Sequence, residues 1–237
     1  MNDHKFCFII CSNNDLLLGE ALHYIDQLNI PDEYEVDLLT VKDAASITEG
    51  YNEAMLSSDA KYKIYMHQDV FILNKDLLSD LLTIFHSDPQ IGMIGVVGHE
   101  TISPGGVMWH GDAIGKLYCT AIGERLSSCP EPFRYVAEID GLFMATSQDL
   151  PWNTDLLKDW DFYDAFQSIN FLEHGYRIAV PVRMQADPWC MHDDGEPNFT
   201  KYNSYRHIFM QIYQNYLGKH WSEIINNLPT IPPDSLP

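Results

Sequence analysis

Positive charge is scarce in this chain: 14 Lys and Arg residues stand against 34 Asp and Glu, a formal net charge of −20 at pH 7. So acidic a surface cannot displace the counterions of a phosphate backbone, which excludes nucleic acid as a partner. A phosphorylated small molecule would need a local device to hold it, such as a divalent metal ion, while most of the acidic residues simply confer solubility. Long apolar runs are missing too. None approaches the roughly 20 residues needed to span a bilayer, and Met1-Asn2-Asp3-His4-Lys5 leads into a strand-like segment rather than a signal-peptide core. The expectation is a cytoplasmic chain with no transmembrane segment. Cysteine is sparse and unpatterned: Cys7, Cys11, Cys119, Cys129 and Cys190 are odd in number and show no CxxC spacing. That excludes a disulfide framework and a zinc ribbon and leaves reduced, mostly buried thiols. There is no internal repeat, no low-complexity segment, and no Gly-rich phosphate loop with basic residues near the N-terminus, which argues against a nucleotidyltransferase.

What remains is a chain of 237 residues, 46% hydrophobic, large enough to bury the core of one α/β domain. "KFCFIIC" (Lys5 to Cys11) reads as a buried strand ended by the polar turn Ser12-Asn13-Asn14-Asp15. Leu17, Ala21, Tyr24, Ile25 and Leu28 then recur at helical spacing, and "YEVDLLTV" (Tyr34 to Val41) is a second strand. Ser46 and Glu49 have the spacing of a capping box opening a helix that ends near Ser57-Ser58-Asp59. "YKIYM" is the third strand. Asn74 is placed to cap a helix through Leu77, Leu81 and Phe85, closed by Asp88-Pro89, and "IGMIGVVG" is a fourth strand. Strand and helix alternate, which predicts a Rossmann-like, mostly parallel central sheet flanked by helices, with ligands beyond the carboxyl ends of the strands.

The second half is less regular. Turn signals at Ser103-Pro104-Gly105-Gly106 and Cys129-Pro130-Glu131-Pro132 predict long loops, with a hairpin between His99 and Arg134. "YVAEIDGLFMAT" reads as strand, turn and buried segment. "DFYDAFQSINFLEHGYRIAVPV" reads as a helix capped near Asp161 and stopped by Gly175, followed by a final strand. An aromatic helix around Tyr205 to Leu217 and a Pro-rich tail from Pro229 complete the chain.

The polar triplet His67-Gln68-Asp69 interrupts two apolar runs at the end of the third strand, where such a sheet places its chemistry. "SITEGYNEAMLSSDAKYKIYMHQDV" resembles the segment of family-2-like glycosyltransferases of GT-A fold in which a helix with an Asn-x-x-Ala pattern leads into a strand ending in Asp-x-Asp. Asn52 to Met55 and His67-Gln68-Asp69 are the matching positions, with His in place of the first Asp. "WDFYDAFQSINFLEHGYRIAV" is similar to the acidic segment that carries the catalytic carboxylate in those enzymes, with Tyr163 where they often carry Glu. "CMHDDG" resembles their late His position. The likeness runs in order over roughly residues 5 to 195. It implies one domain over 1–237, with a nucleotide-sugar-binding half at 5–98, an acceptor and catalytic half at 99–200, and C-terminal helices and tail at 201–237.

The implied activity is inverting transfer of a hexosyl-type sugar from a nucleotide-diphosphate sugar, UDP-linked, to the hydroxyl of a carbohydrate or lipid-linked acceptor. A catalytically degenerate relative that keeps the fold and binds a nucleotide or partner is the alternative. A leaving diphosphate is stabilised by Mn²⁺ or Mg²⁺, and Asp69 at a strand end suits that ion, although a lone Asp there is also a turn former. His67 shares the parity of Asp69 along an extended segment and is a second ligand or a donor to phosphate. His192, after the final strand, is placed either to return to the same edge as a third ligand or to lie on the surface; Asp193 and Asp194 read as a solvated turn. Cys190 beside His192 has no partner pair at zinc-ligand spacing. The resemblance puts Ser12, Asn13, Asp43, Asn52, His67, Gln68 and Asp69 on the donor, Asp164 as general base and Asp140 on the acceptor side. Ser12, Asn13, Asp43 and Asp140 are ordinary turn residues as well, and Asp164 also has the spacing to complete a cap begun by Asp161, the lesser reading beside the base. Of Trp109, Trp152 and Trp160, all able to stack on a sugar or to fill core, Trp160 is assigned to the acceptor.

Overall fold

A computed structural model describes residues 1–107, 110, 113–120, 123–126, 132–182, 188–193 and 199–228. Its first half follows the alternation read from the sequence: β1 (Asn2–Ser12), α1 (Asp15–Asp26), β2 (Glu35–Lys42), α2 (Ile47–Ser57), β3 (Ala60–His67), β4 (Val70–Ile72), α3 (Leu77–Ser87) and β5 (Ile91–Gly95). The "IGMIGVVG" segment splits at Val96, and β6 (Val97–His99) continues into another sheet. Then come β7 (Ile114–Cys119), β8 (Gly123–Leu126), β9 (Phe133–Val136), β10 (Glu138–Ile139), β11 (Phe143–Thr146), α4 (Tyr163–Glu173), β12 (Arg177–Pro181), β13 (Cys190–His192), α5 (Phe199–Ile212) and α6 (Trp221–Asn226). The antiparallel β7–β8 pair is the expected hairpin. Cys129, Trp109, Asp194 and the tail from Pro229 lie outside the described residues.

The main sheet has the order β2-β1-β3-β11-β5-β12-β9 and is mixed. β1 pairs in parallel with β2 and β3, and β5 with β12. β11 enters antiparallel between β3 and β5, and β9 closes the edge antiparallel to β12. The mostly parallel sheet expected from the alternation therefore holds only for β2-β1-β3 and β5-β12. A four-residue apolar run such as "FMAT" carries no signal of its direction. A second sheet, β10-β6-β7-β13-β4, lies beyond the C-terminal ends of β3 and β5.

Strand parity explains the two cores. Phe6, Phe8, Ile10, Tyr62, Ile64 and Met66 face α1 and α3 in one cluster, while Cys7, Ile9, Cys11 and Tyr65 face α2, α4, α5 and α6 in the other. Each fully buried Phe contributes about 2–3 kcal/mol of transfer free energy. His67 has the parity of Tyr65, so β3 delivers its ring to the α4 side of the sheet. The free thiols Cys7, Cys11, Cys119 and Cys190 are buried.

Lys63 interrupts the apolar β3 and is fully buried, yet its ammonium is satisfied by Ala60 O at 2.7 Å and by both Asp149 oxygens at 2.8 and 2.9 Å. Asp149→Ala would strand that charge, a loss of about 3 kcal/mol even with the carboxylate partly exposed to solvent. Denaturant unfolding checks this, and an unchanged midpoint would refute it.

Three helix starts differ from expectation. Ser46 Oγ accepts from Glu49 N at 3.2 Å, which is one half of the anticipated capping box. Asp161 does not cap α4: Phe162 holds the N-cap position with φ 64° and no side-chain cap bond. A bulky residue in the left-handed region is strained, and here that strain sits immediately before Tyr163 and Asp164. Asn74 does not cap α3: it stands two residues before the N-cap Asp76, which makes no side-chain cap bond, and its Oδ1 accepts from Asp76 N while its amide donates to Asp80. Gly175, with φ 80°, stops α4 as the sequence predicts. The loop Ser103–Gly106 closes as a turn through Gly106 N to Ser103 O.

Candidate active site

His67 ends β3, and Asp69 follows in the tight turn before β4. β13 then lies antiparallel on β4 with His192 opposite Val70, and Asp193 N donates to Asp69 O at 2.9 Å. Three residues of pairing thus return His192 to the Asp69 turn across more than a hundred positions of sequence. His67 Nδ1 stands 3.8 Å and His192 Nε2 3.4 Å from Asp69 Oδ1. The three side chains offer ligand atoms within 4.8 Å of one another.

Asp69 Oδ1 is buried and accepts no well-aligned hydrogen bond, its nearest donor being His192 Nε2 at 3.4 Å. A buried carboxylate oxygen without a well-aligned donor is costly, and a cation between it and the two imidazoles would satisfy it. Burial opposes the charge on Asp69, but His192 and His67 hold its carboxyl below the usual range. Burial pushes the His67 imidazole down. For His192 burial acts in the same direction but is outweighed by Asp69 and the Cys119 thiol, and the ring is pushed up to about 10. With no cation, Asp69 and His192 form a carboxylate–imidazolium pair, and a divalent ion would displace that proton. Two imidazoles and a carboxylate suit a first-row ion such as Mn²⁺ better than Mg²⁺, which prefers oxygen alone.

A cleft beside this cluster is lined by Cys11, Asn13, Ile47, Tyr51, Met66, His67, Gln68, Asp69 and Trp160. Gln68 ties it to β1: its Oε1 accepts from Ser12 Oγ, Asn13 N and Asn14 N at 2.8–3.0 Å, and its amide donates to Asn13 Oδ1 at 2.7 Å. The side chain of Gln68 therefore shapes the loop wall, and the Ser12 hydroxyl and the Asn13 backbone N–H are already spent on it. Trp160, 46% exposed, stands in the wall of this same cleft, on the donor candidates' side. Asn52 and Asp43 do not line it. Asn52 brackets the backbone of Trp152, donating to its carbonyl at 3.0 Å and accepting from its N–H at 2.9 Å. Asp43 is exposed after β2 in the left-handed region, φ 58°.

Asp164 lies in the first turn of α4, partly buried, its Oδ2 accepting from Gly141 N at 2.9 Å and its Oδ1 from Ala165 N at 2.8 Å. Burial first, and Asp140 second, push its carboxyl up to about 7, against these two bonds. Asp140 Oδ1 accepts from Leu142 N at 3.1 Å, a turn that also aims Gly141 N at Asp164. Two participants were not singled out for these roles in the sequence. Tyr163, read there only as a departure from an acidic pair, places its hydroxyl on His67 Nε2. Glu138 is buried beside Ser103 N, and burial pushes it up to about 8; its place in the apolar-looking "YVAEI" gave no signal.

The chain is similar to known proteins in family and in fold. The model of a family described as glycosyltransferase-like matches residues 7–213. A mannosyltransferase from Pyrobaculum calidifontis, solved with GDP-Man and Mn²⁺, superposes with a TM-score of 0.55 at 14% identity, over 98% of this chain and 67% of that one. Residues 1–349 of S. aureus TarS, solved with UDP-GlcNAc, give 0.56 at 10% identity over 96% and 68%. The same TarS segment with UDP gives 0.57 at 9% over 93% and 69%. These likenesses show the GT-A fold. No curated protein sequence matches the chain.

Proposed function

Because the chain belongs to the glycosyltransferase-like family, we propose that it moves a sugar, with inversion, from a nucleoside-diphosphate sugar to an acceptor hydroxyl, uridine being the expected base. The observation that carries this reading is the His67–Asp69–His192 cluster, with its carboxylate oxygen lacking a well-aligned donor, opening on a cleft at the C-terminal end of β3. The neighbours bind UDP-GlcNAc and, with Mn²⁺, GDP-Man, which supports a nucleotide sugar in the cleft and a divalent cation in the cluster. His67, Asp69 and His192 would hold that ion, which when bound neutralises charge developing on the leaving diphosphate.

The chain's own residues supply the rest. Gln68 holds Ser12 and Asn13 as the wall against which the nucleoside lies, and Trp160 offers an aromatic face to the sugar. Asp164 takes the proton of the acceptor hydroxyl as it attacks the anomeric carbon on the side opposite the leaving group. A base poised near neutrality is suited to that task. Asp140 keeps Asp164 poised through its charge and through the turn that presents Gly141 N.

Incubation with UDP- and GDP-sugars in Mn²⁺ tests the proposal: slow release of the nucleoside diphosphate, with water as acceptor, is expected from one of them. No release from any nucleotide sugar, with none bound in calorimetry, would leave a fold without this function. His192→Ala is expected to weaken Mn²⁺ binding by about 10-fold or more, as a lost ligand should. Equal affinity in calorimetry would return His192 to a sheet-edge role.

A further inference from the structure

We propose that Tyr163 is a positioning residue for the metal site, its hydroxyl taking the Nε2 proton of His67 so that the bare Nδ1 turns to the ion. The inference rests on the metal-centre reading above.

Three observations carry it. The Tyr163 hydroxyl is hydrogen-bonded to His67 Nε2, while His67 Nδ1 is the nitrogen that faces Asp69, at 3.8 Å. A neutral imidazole has one N–H and one lone pair, so a partner that accepts at Nε2 fixes the lone pair on Nδ1. Second, Tyr163 is only 3% exposed and packs against the Tyr51–Trp152 pair, with ring centroids at 6.0 and 6.1 Å, so burial holds the hydroxyl in place. Third, the hydroxyl passes directly over Gly141, where a Cβ would overlap it. The glycine leaves room for the tyrosine to reach the histidine.

Where a metal is held by His, an outer partner on the second ring nitrogen sets tautomer and ring orientation, usually a carboxylate or carbonyl. Here a phenol from the first turn of α4 does so, and its chain neighbour is Asp164. The turn that supplies the proposed base thereby also orients a ligand.

The test is Mn²⁺ alone, titrated calorimetrically into the full chain and into Tyr163→Phe, which removes one oxygen and keeps the ring. Affinity is expected to fall about 10- to 100-fold, with the remaining binding close to that of His67→Ala. Wild-type affinity in Tyr163→Phe overturns the inference while leaving the metal centre standing. Failure of the wild-type chain to bind Mn²⁺ takes down the metal-centre reading and this inference with it. If Tyr163→Phe does not fold, the nitrogen-15 spectrum of His67 in the wild-type chain decides: a proton on Nε2 and none on Nδ1 is expected, and the opposite tautomer overturns the inference.

Discussion

Asp164→Asn should lower kcat by about 10²- to 10⁴-fold while donor affinity stays near wild type. The carboxylate's hydrogen bonds are to backbone and not to the donor candidates; its two oxygens accept from Gly141 N and Ala165 N and still carry lone pairs for an acceptor hydroxyl. An amide can satisfy only one of those two N–H groups, so the variant should also lose about 1–3 kcal/mol of stability. Donor affinity separates the two effects, because a collapsed first turn of α4 would disturb His67 through Tyr163 and weaken donor binding too. Steady-state kinetics with parallel donor titration reads both. Transfer at the native rate would remove Asp164 from the chemistry, and loss of donor binding would make it a structural residue of α4.

The pH dependence follows from the same group. Burial and Asp140 push the Asp164 carboxyl up to about 7, and only the ionised form can take a proton. In the wild-type chain kcat/KM should therefore rise with pH through that region and level off above it. A profile flat from pH 5 to about 8 would contradict the assignment.

The second large effect is expected at Asp69. Asp69→Ala should abolish the metal-dependent part of donor binding, a fall of at least about 100-fold if the loss of a ligand exceeds the loss of its support. Removing the carboxylate takes the partner from the His192 imidazolium, which can then give up its proton, while the backbone pairing of Asp69 O with Asp193 N is kept. A binding defect without a large drop in melting temperature is thus the signature. Unchanged metal-dependent donor affinity would mean that the ion, if any, is held elsewhere.

How far the sequence revealed this arrangement differs by residue. The continuous apolar runs of β1 and β3 and the polar break after "KIYM" located the end of the strand where His67, Gln68 and Asp69 gather, because such a run is written locally. The return of His192 was legible only as a possibility, since it depends on β13, three residues long, choosing β4 as its partner. The reversed β11 was not legible at all: parity says which side chains are buried, never which way the strand runs. Asn52 and Gln68 were placed together at the donor. Only the geometry separates the one bracketing Trp152 from the one that builds the cleft wall, because a carboxamide does not announce whether its partners are backbone or ligand. Asp161 had the residue type and position of a cap, but the left-handed turn at Phe162 supplanted it, and nothing in an aromatic residue advertises that conformation.

The central claim is that a divalent ion at His67, Asp69 and His192 joins this chain to the diphosphate of a nucleotide sugar. The most direct measurement is a thermal-shift panel of UDP- and GDP-sugars on the wild-type chain, each with and without Mn²⁺, since a ligand bound by the native state alone raises its melting point. One nucleotide sugar is expected to raise Tm clearly more with Mn²⁺ than the sum of sugar alone and Mn²⁺ alone. Shifts that merely add, or no shift with any nucleotide sugar, would contradict it.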